Sequence, residues 1–153
     1  MSAPTPSRPA FISSIVYKDQ RAALAWLENT FGFEVSGLLT DSKGNIVHAE
    51  MTHGDGVIMI SNEFAGWACS PLSLDGKITQ RLHVRIREKI DEHCAHAREA
   101  GAQITMEPAD QFYGERSYAA VDFEGHRWTF SQTIKHVSEA EMEQATGFKF
   151  SKR

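Results

Sequence analysis

The stretch FYGERSYAAVDFEGHRWTFSQ, residues 112–132, decides the fold. It opens on a tight turn around Gly114 and runs into a strand, Ser117–Val121. Asp122-Phe123-Glu124-Gly125 is hairpin-turn chemistry, because Asp and Gly supply the local hydrogen bonds and dihedrals that reverse a chain. Arg127–Ser131 then alternates, with Trp128 and Phe130 on one face and Arg127, Thr129 and Ser131 on the other. That period of two marks a strand covered on one side.

Working outward, the unit has an earlier copy. Asp19 and Glu88, Gly32 and Gly101, and Gly56 and Gly125 are each 69 residues apart. Each half reads β–α–β–β–β. In the first, Phe11–Lys18 is a strand, and Asp19 caps the helical run QRAALAWLENTF, which Gly32 closes. Strands follow over Glu34–Asp41, Ile46–Thr52 and VIMIS, separated by turns at Ser42–Asn45 and His53–Gly56. In the second half, Gln80–Arg87 alternates as a strand, and Glu88 sits at or near the start of a helix through KIDEHCAHAREA. A strand around Ile104, a turn near Pro108 and the two strands of the opening stretch complete it. Ser138 and Glu141 have capping-box spacing for a last short helix that Gly147 stops.

These readings divide the chain into a disordered tail (1–10), a first module (11–61), a loop (62–79), a second module (80–133) and a helical C-terminal tail (134–153). The fold class is α+β. Neither half covers its own sheet, so two paired βαβββ modules are expected to form a curved sheet around a shared cavity.

Composition narrows the function classes. A chain of 153 residues, 41% hydrophobic, with a net charge of −4, is one domain's worth of material. No basic run suggests nucleic acid, and no apolar run approaches the roughly 18 residues of a membrane span. The N-terminus MSAPTPSRPA has no apolar signal core. Cys69 and Cys94 have neither metal nor redox spacing. A soluble protein of a reducing compartment, most simply the cytoplasm, is expected.

The segments IVYKDQRAALAWLENTFGFE and REAGAQITMEPADQFYGERSYAAVDFEGHRWTF resemble the vicinal oxygen chelate superfamily of glyoxalase I, extradiol dioxygenases and bleomycin-resistance proteins. YGERSY…DFEGHRW is especially similar to its glyoxalase-like subgroup, and the resemblance runs over Phe11–Thr133. It implies the paired-module fold, a homodimer, and in the enzymes a divalent metal. That metal is held by His or Gln on each module's first strand and Glu on its last. Carried over by register, these positions are Ile12 and Met59, then Arg81 and Thr129. Isoleucine offers no donor, a thioether is too soft for a hard ion, threonine is a weak ligand, and arginine is a permanent cation. A one-residue slip brings Ser13, Ile60, His83 or Trp128, still only one good ligand. The expectation is therefore no metal and no other cofactor.

Strand alternation places Leu82, Val84, Ile86, Trp128 and Phe130 against the helices. Arg81, His83, Arg85, Arg127, Thr129 and Ser131 then line the concave side, with Ile12, Ser14, Val16, Val57, Met59 and Ser61 from the first half. Tyr113 and Arg116 can reach the rim, and Trp67 on the long loop can act as a lid. The plainer alternatives are that the arginines pair with Glu50, Glu107 or Asp122, that Tyr113 and Arg116 brace the turn, and that Trp67 anchors the loop. His48 and Glu50 share a strand face and could make a two-ligand partial metal site. His93 and His96 read as an exposed helix face, and His126 as shaping its turn. His83 is the candidate general base, its intrinsic pKa lying near neutrality.

The residues suit a small organic anion with an apolar body, gripped by arginine in a metal-free cavity. Two alternatives stand beside this reading. One is a metal-dependent glyoxalase-type lyase or isomerase using His48, Glu50 or His83. The other is a dimeric interaction module.

Overall fold

A computed structural model describes residues 8–152; most of the expected N-terminal tail, residues 1–7, lies outside the described residues, as does Arg153. The elements run β1 (Ser13–Tyr17), α1 (Gln20–Phe31), β2 (Glu34–Thr40), β3 (Ile46–His53), β4 (Gly56–Asn62), β5 (Leu82–Arg85), α2 (Ile90–Glu99), β6 (Gln103–Asp110), β7 (Glu115–Val121), β8 (Arg127–Thr133) and α3 (Glu139–Thr146). This is the expected α+β class with two βαβββ modules. The chain divides between Lys77 and Ile78 into two compact units. One holds a sheet of order β1-β4-β3-β2, the other a sheet of order β5-β8-β7-β6. In each, the first and last strands pair in parallel and the rest are antiparallel. Among the described residues no helix is long and apolar enough to cross a membrane.

The helix signals act as their chemistry requires. The Asp19 carboxylate accepts from Ala22 N at 2.9 Å, satisfying a donor that the first turn of α1 cannot bond internally. Ala23, Leu24, Leu27 and Phe31 form its buried stripe, and Gly32 ends it at φ 73°. Ser138 and Glu141 make a complete capping box on α3, which ends at Gly147.

The second helix is entered through Lys89, in the left-handed conformation at φ 61°, with no side-chain cap, and Glu88 stands near its start as expected, one residue outside. Three details differ from expectation. The β5 strand is shorter than the alternating run, ending before Ile86. The β6 strand continues through Pro108 because it is an edge strand with register shifts, where a missing N–H costs little. The reversal falls at Gln111–Gly114, the tight turn expected around Gly114, where Gly114 N donates to Gln111 O at 3.1 Å. Last, His93 is not on an exposed face. Its Nδ1 shares a 2.7 Å hydrogen bond with the buried Tyr118 hydroxyl, and its ring lies 4.7 Å from that of Phe130.

The second module's core is aromatic: Tyr118, Trp128 and Phe130 are at most 1% exposed, and Tyr118 stacks on Phe130 at 5.1 Å. Cys94 packs beneath them from α2, and burial pushes its thiol pKa up, whereas Cys69 is exposed. A thiolate is the reacting form. Native protein at neutral pH should therefore consume about one equivalent of Ellman's reagent quickly, through Cys69. The second equivalent should appear only on unfolding in denaturant; fast reaction of both thiols would contradict this packing.

Candidate functional site

The candidate site is the face of the second sheet turned away from α2. Trp128, Phe130, Tyr118 and Ala120 are buried on the helix side. Alternation puts Arg127, Thr129 and Ser131 of β8, His83 and Arg85 of β5, and Glu115, Ser117 and Ala119 of β7 on the open side. The ladders set Thr129 between His83 and Ala119, and Ser131 between Arg85 and Ser117.

These side chains form a mixed network. His83 Nε2 and Ser131 Oγ share a hydrogen bond at 2.8 Å. Arg85 donates to Glu115 Oε1 at 2.5 Å, and Glu115 Oε2 lies 3.9 Å from His83 Nε2. Glu115 is the residue that sequence reasoning missed. It is 8% exposed, a carboxylate half-sunk in the sheet and neutralised by Arg85. The same alternation that puts Ser117 on the open face extends to it, but in the sequence Glu115 belongs to the turn around Gly114. The expected arginine partners are otherwise engaged: Glu50 takes Arg8, Glu107 takes Arg98, and Asp122 organises its own turn.

Arg81 lies ahead of β5 and Arg127 at the start of β8, both exposed and without an ion-pair partner among the described residues. Arg116 faces the other way. Its Nε donates to Asp91 of α2 at 2.9 Å and its Nη1 to Asp110 at 2.8 Å, so it braces helix to sheet. Tyr113 sits edge-on to Phe112 and lines a separate apolar cleft of about 290 Å³ with Met142, Phe148 and Phe150 of the C-terminal tail.

The first sheet, described by itself, carries Met59 in a cleft of about 400 Å³ with Ser14, His48, Ser61 and Phe64. Ser14 and Ser61 hydroxyls are 3.0 Å apart. Trp67 is 84% exposed and edge-on to Phe64 at 6.2 Å. Glu50 accepts from Arg8 at 2.7 Å and shares a bond with His48 Nε2 at 3.0 Å. Arg8, then His48, holds its carboxyl below the usual range.

A divalent metal can be tested against these donors. Ser14 pairs with Met59 and His83 with Thr129, while Ile12 and Arg81 lie just ahead of their strands. The first module thus offers a hydroxyl and a thioether, and the second one imidazole and a weak hydroxyl, where a hard ion wants several carboxylates or imidazoles. Among the described residues, no three His, Cys, Asp or Glu side chains converge as a metal would need. Beside His48, the one nearby carboxylate already carries the Arg8 cation. The residues present do not fit the ion.

Comparison with solved structures agrees with this architecture. TioX from Micromonospora sp. ML1 is 28% identical, with a TM-score of 0.67 over 84% of this chain and 99% of that one. TnmS3, an antibiotic binding protein from Streptomyces sp. CB03234, is 18% identical, with a TM-score of 0.63 over 84% and 98%. FosX, a fosfomycin resistance protein from Listeria monocytogenes, is 18% identical, with a TM-score of 0.61 over 88% and 94%; that structure is of a mutant complexed with Mn(II) and 1S,2S-dihydroxypropylphosphonic acid. The family model for the Glyoxalase/Bleomycin resistance protein/Dioxygenase superfamily matches residues 10–130. Two βαβββ modules and a family match over most of its length make this chain a member of the Glyoxalase/Bleomycin resistance protein/Dioxygenase superfamily.

Proposed function

We propose that the protein binds a small organic anion with an apolar body on the open face of the second module, holds it without a metal, and releases it unaltered. The observation that carries this reading is the state of the cations on that face. Arg85 is neutralised by Glu115, whereas Arg81 and Arg127 stand exposed without ion-pair partners among the described residues. A guanidinium in that condition is free to take a carboxylate or phosphonate bidentately. Thr129 and His83, side by side on β8 and β5, add a hydroxyl and an imidazole within reach of the same anion. The antibiotic-binding relative of the same fold supports a binding role. The homodimer implied by the family is part of the proposal, and light scattering of the purified protein tests it.

Binding is favoured over catalysis by His83. Its Nε2 is bonded to Ser131, and the one carboxylate near it, Glu115, approaches that same nitrogen rather than Nδ1. A Ser–His pair needs the opposite arrangement, with an acid orienting the far nitrogen.

The test uses 4-ethylbenzoate as probe in calorimetry and amide NMR, with Arg81→Ala, Arg127→Ala and the double variant. The double variant should lose at least about tenfold in affinity, the scale of a charge-assisted hydrogen bond. Excess EDTA should change nothing, and mass spectrometry should recover the probe intact. Tight equimolar uptake of Mn(II), required for probe binding, would defeat the proposal.

A further inference from the structure

We propose that Glu115 reads a neutral hydrogen-bond donor on the ligand, an amide N–H or a hydroxyl, so that the protein selects anions carrying such a group. This rests on the open face of the second module being the binding face. Glu115 is nine-tenths buried by its side chain, yet only one of its oxygens is satisfied. Oε1 accepts from Arg85 at 2.5 Å. Oε2 accepts no hydrogen bond among the described residues, and its nearest polar neighbour, His83 Nε2 at 3.9 Å, is too far for one and is bonded to Ser131 instead. A carboxylate has about four lone-pair sites, and a buried one left short of donors is costly. The strand pairing keeps Glu115 on the same face as Ser117 and Ser131, between the free arginines' end of β8 and the loop at Gln111–Gly114.

The donor's charge follows from the neighbours. Arg85 already cancels the Glu115 charge, so a ligand ammonium would meet a guanidinium 2.5 Å from the same carboxylate and gain little. A neutral N–H or O–H gains a hydrogen bond to an ionised acceptor and meets no repulsion. Along a strand, residues two apart are about 6.6 Å apart, so an anion near Arg127 and Thr129 and a donor near Ser131 fit the two ends of a para-substituted benzene ring.

Three probes separate the claims: 4-(hydroxymethyl)benzoate, 4-ethylbenzoate, which replaces the hydroxyl by methyl, and 4-methylbenzyl alcohol, which lacks the anion. Wild-type protein should bind the hydroxymethyl compound about tenfold more tightly than the ethyl compound. Glu115→Gln should cut that preference to about threefold or less, because the amide oxygen stays with Arg85 and its NH₂ can only donate to the hydroxyl oxygen, a neutral hydrogen bond in place of one to a carboxylate. Because the same change uncovers the Arg85 charge for both benzoates, the readout is the ratio of their affinities rather than the affinity of either. A preference undiminished in Glu115→Gln, or absent from wild type, overturns the inference. If that variant does not fold, the wild type decides it: the Glu115 carboxyl carbon resonance should move on adding 4-(hydroxymethyl)benzoate or 4-methylbenzyl alcohol, and an unmoved resonance overturns it. Loss of both benzoates with the alcohol still shifting Glu115 would defeat the anion reading and leave the donor subsite standing.

Discussion

Gly114→Ala should destabilise the protein by about 4 kcal/mol, the sum of a left-handed backbone cost of roughly 1–2 and an overpacking cost of roughly 1–3. Gly114 sits at φ 88° in the turn between β6 and β7. A Cβ there would collide with the Lys135 carbonyl oxygen and come within 2.9 Å of Val137 Cγ2. The segment cannot move aside cheaply, because Ile134 N and Lys135 N both donate to Gly114 O, at 3.0 and 3.2 Å. The turn and the start of the C-terminal tail are thereby clamped backbone to backbone, and the space a methyl needs is already occupied. Gly32→Ala is the matched control: φ is 73°, but nothing lies within 4 Å of the new Cβ. It should cost only the backbone term, about 1 kcal/mol. Urea unfolding with a common slope reads both, and at about 2 kcal/mol per M the Gly114 midpoint should fall by about 2 M. Equal losses for the two variants would show that the clamp yields.

The same clamp explains part of what the sequence could and could not reveal. The caps at Asp19 and Ser138 and the alternation of β8 are local signals, each written within one or two turns of chain, and all appear where their chemistry puts them. Sequence and structure part where a distant partner outvotes local preference. Pro108 reads as a turn residue, but its strand is an edge, so β6 runs on and the reversal is left to Gly114. His93 reads as solvated, yet the Tyr118 hydroxyl, 25 residues away in sequence, draws it inward. A buried phenol needs a hydrogen-bond partner, and an imidazole one turn into α2 is in reach.

The candidate site shows the same division. Alternation correctly groups His83, Arg85, Thr129 and Ser131 on one face, because period two is a backbone property. It cannot say which cation remains available. Arg85 is neutralised by a carboxylate 30 residues away, and Arg116 is taken by Asp91 and Asp110 on the opposite side. Arg81 and Arg127 stay unpaired because no acid among the described residues reaches them. Charge cancellation across strands is a tertiary fact: alternation can place Glu115 on this face, but its pairing with Arg85 exists only once β5, β8 and β7 lie side by side.

Asp122→Ala should cost about 4 kcal/mol, because a single buried carboxylate satisfies at least three donors and each orphan costs roughly 1–3. Oδ1 accepts from Glu124 N at 3.0 Å and His126 N at 2.9 Å, and Oδ2 from the Trp128 indole nitrogen at 3.1 Å. Glu124 is 2% and Trp128 1% exposed, so water cannot replace the lost acceptor without opening the turn. Asp122→Asn separates the contributions. Its carbonyl can keep the two backbone donors, but its NH₂ then opposes the indole N–H, and the loss should be about 2 kcal/mol. Adding Trp128→Phe to Asp122→Asn removes the opposed donor. The double variant should therefore lose less than the two single variants combined, with a coupling of about 1 kcal/mol in a double-mutant cycle read by urea unfolding. Strict additivity would mean that the indole contact contributes nothing. A loss under about 1 kcal/mol for Asp122→Ala would mean that the hairpin holds without its carboxylate. The effect should extend to binding, because this turn sets where β8 begins and Arg127 is its first residue. A loosened turn should weaken 4-ethylbenzoate binding even in molecules that remain folded, at urea concentrations well below the unfolding midpoint.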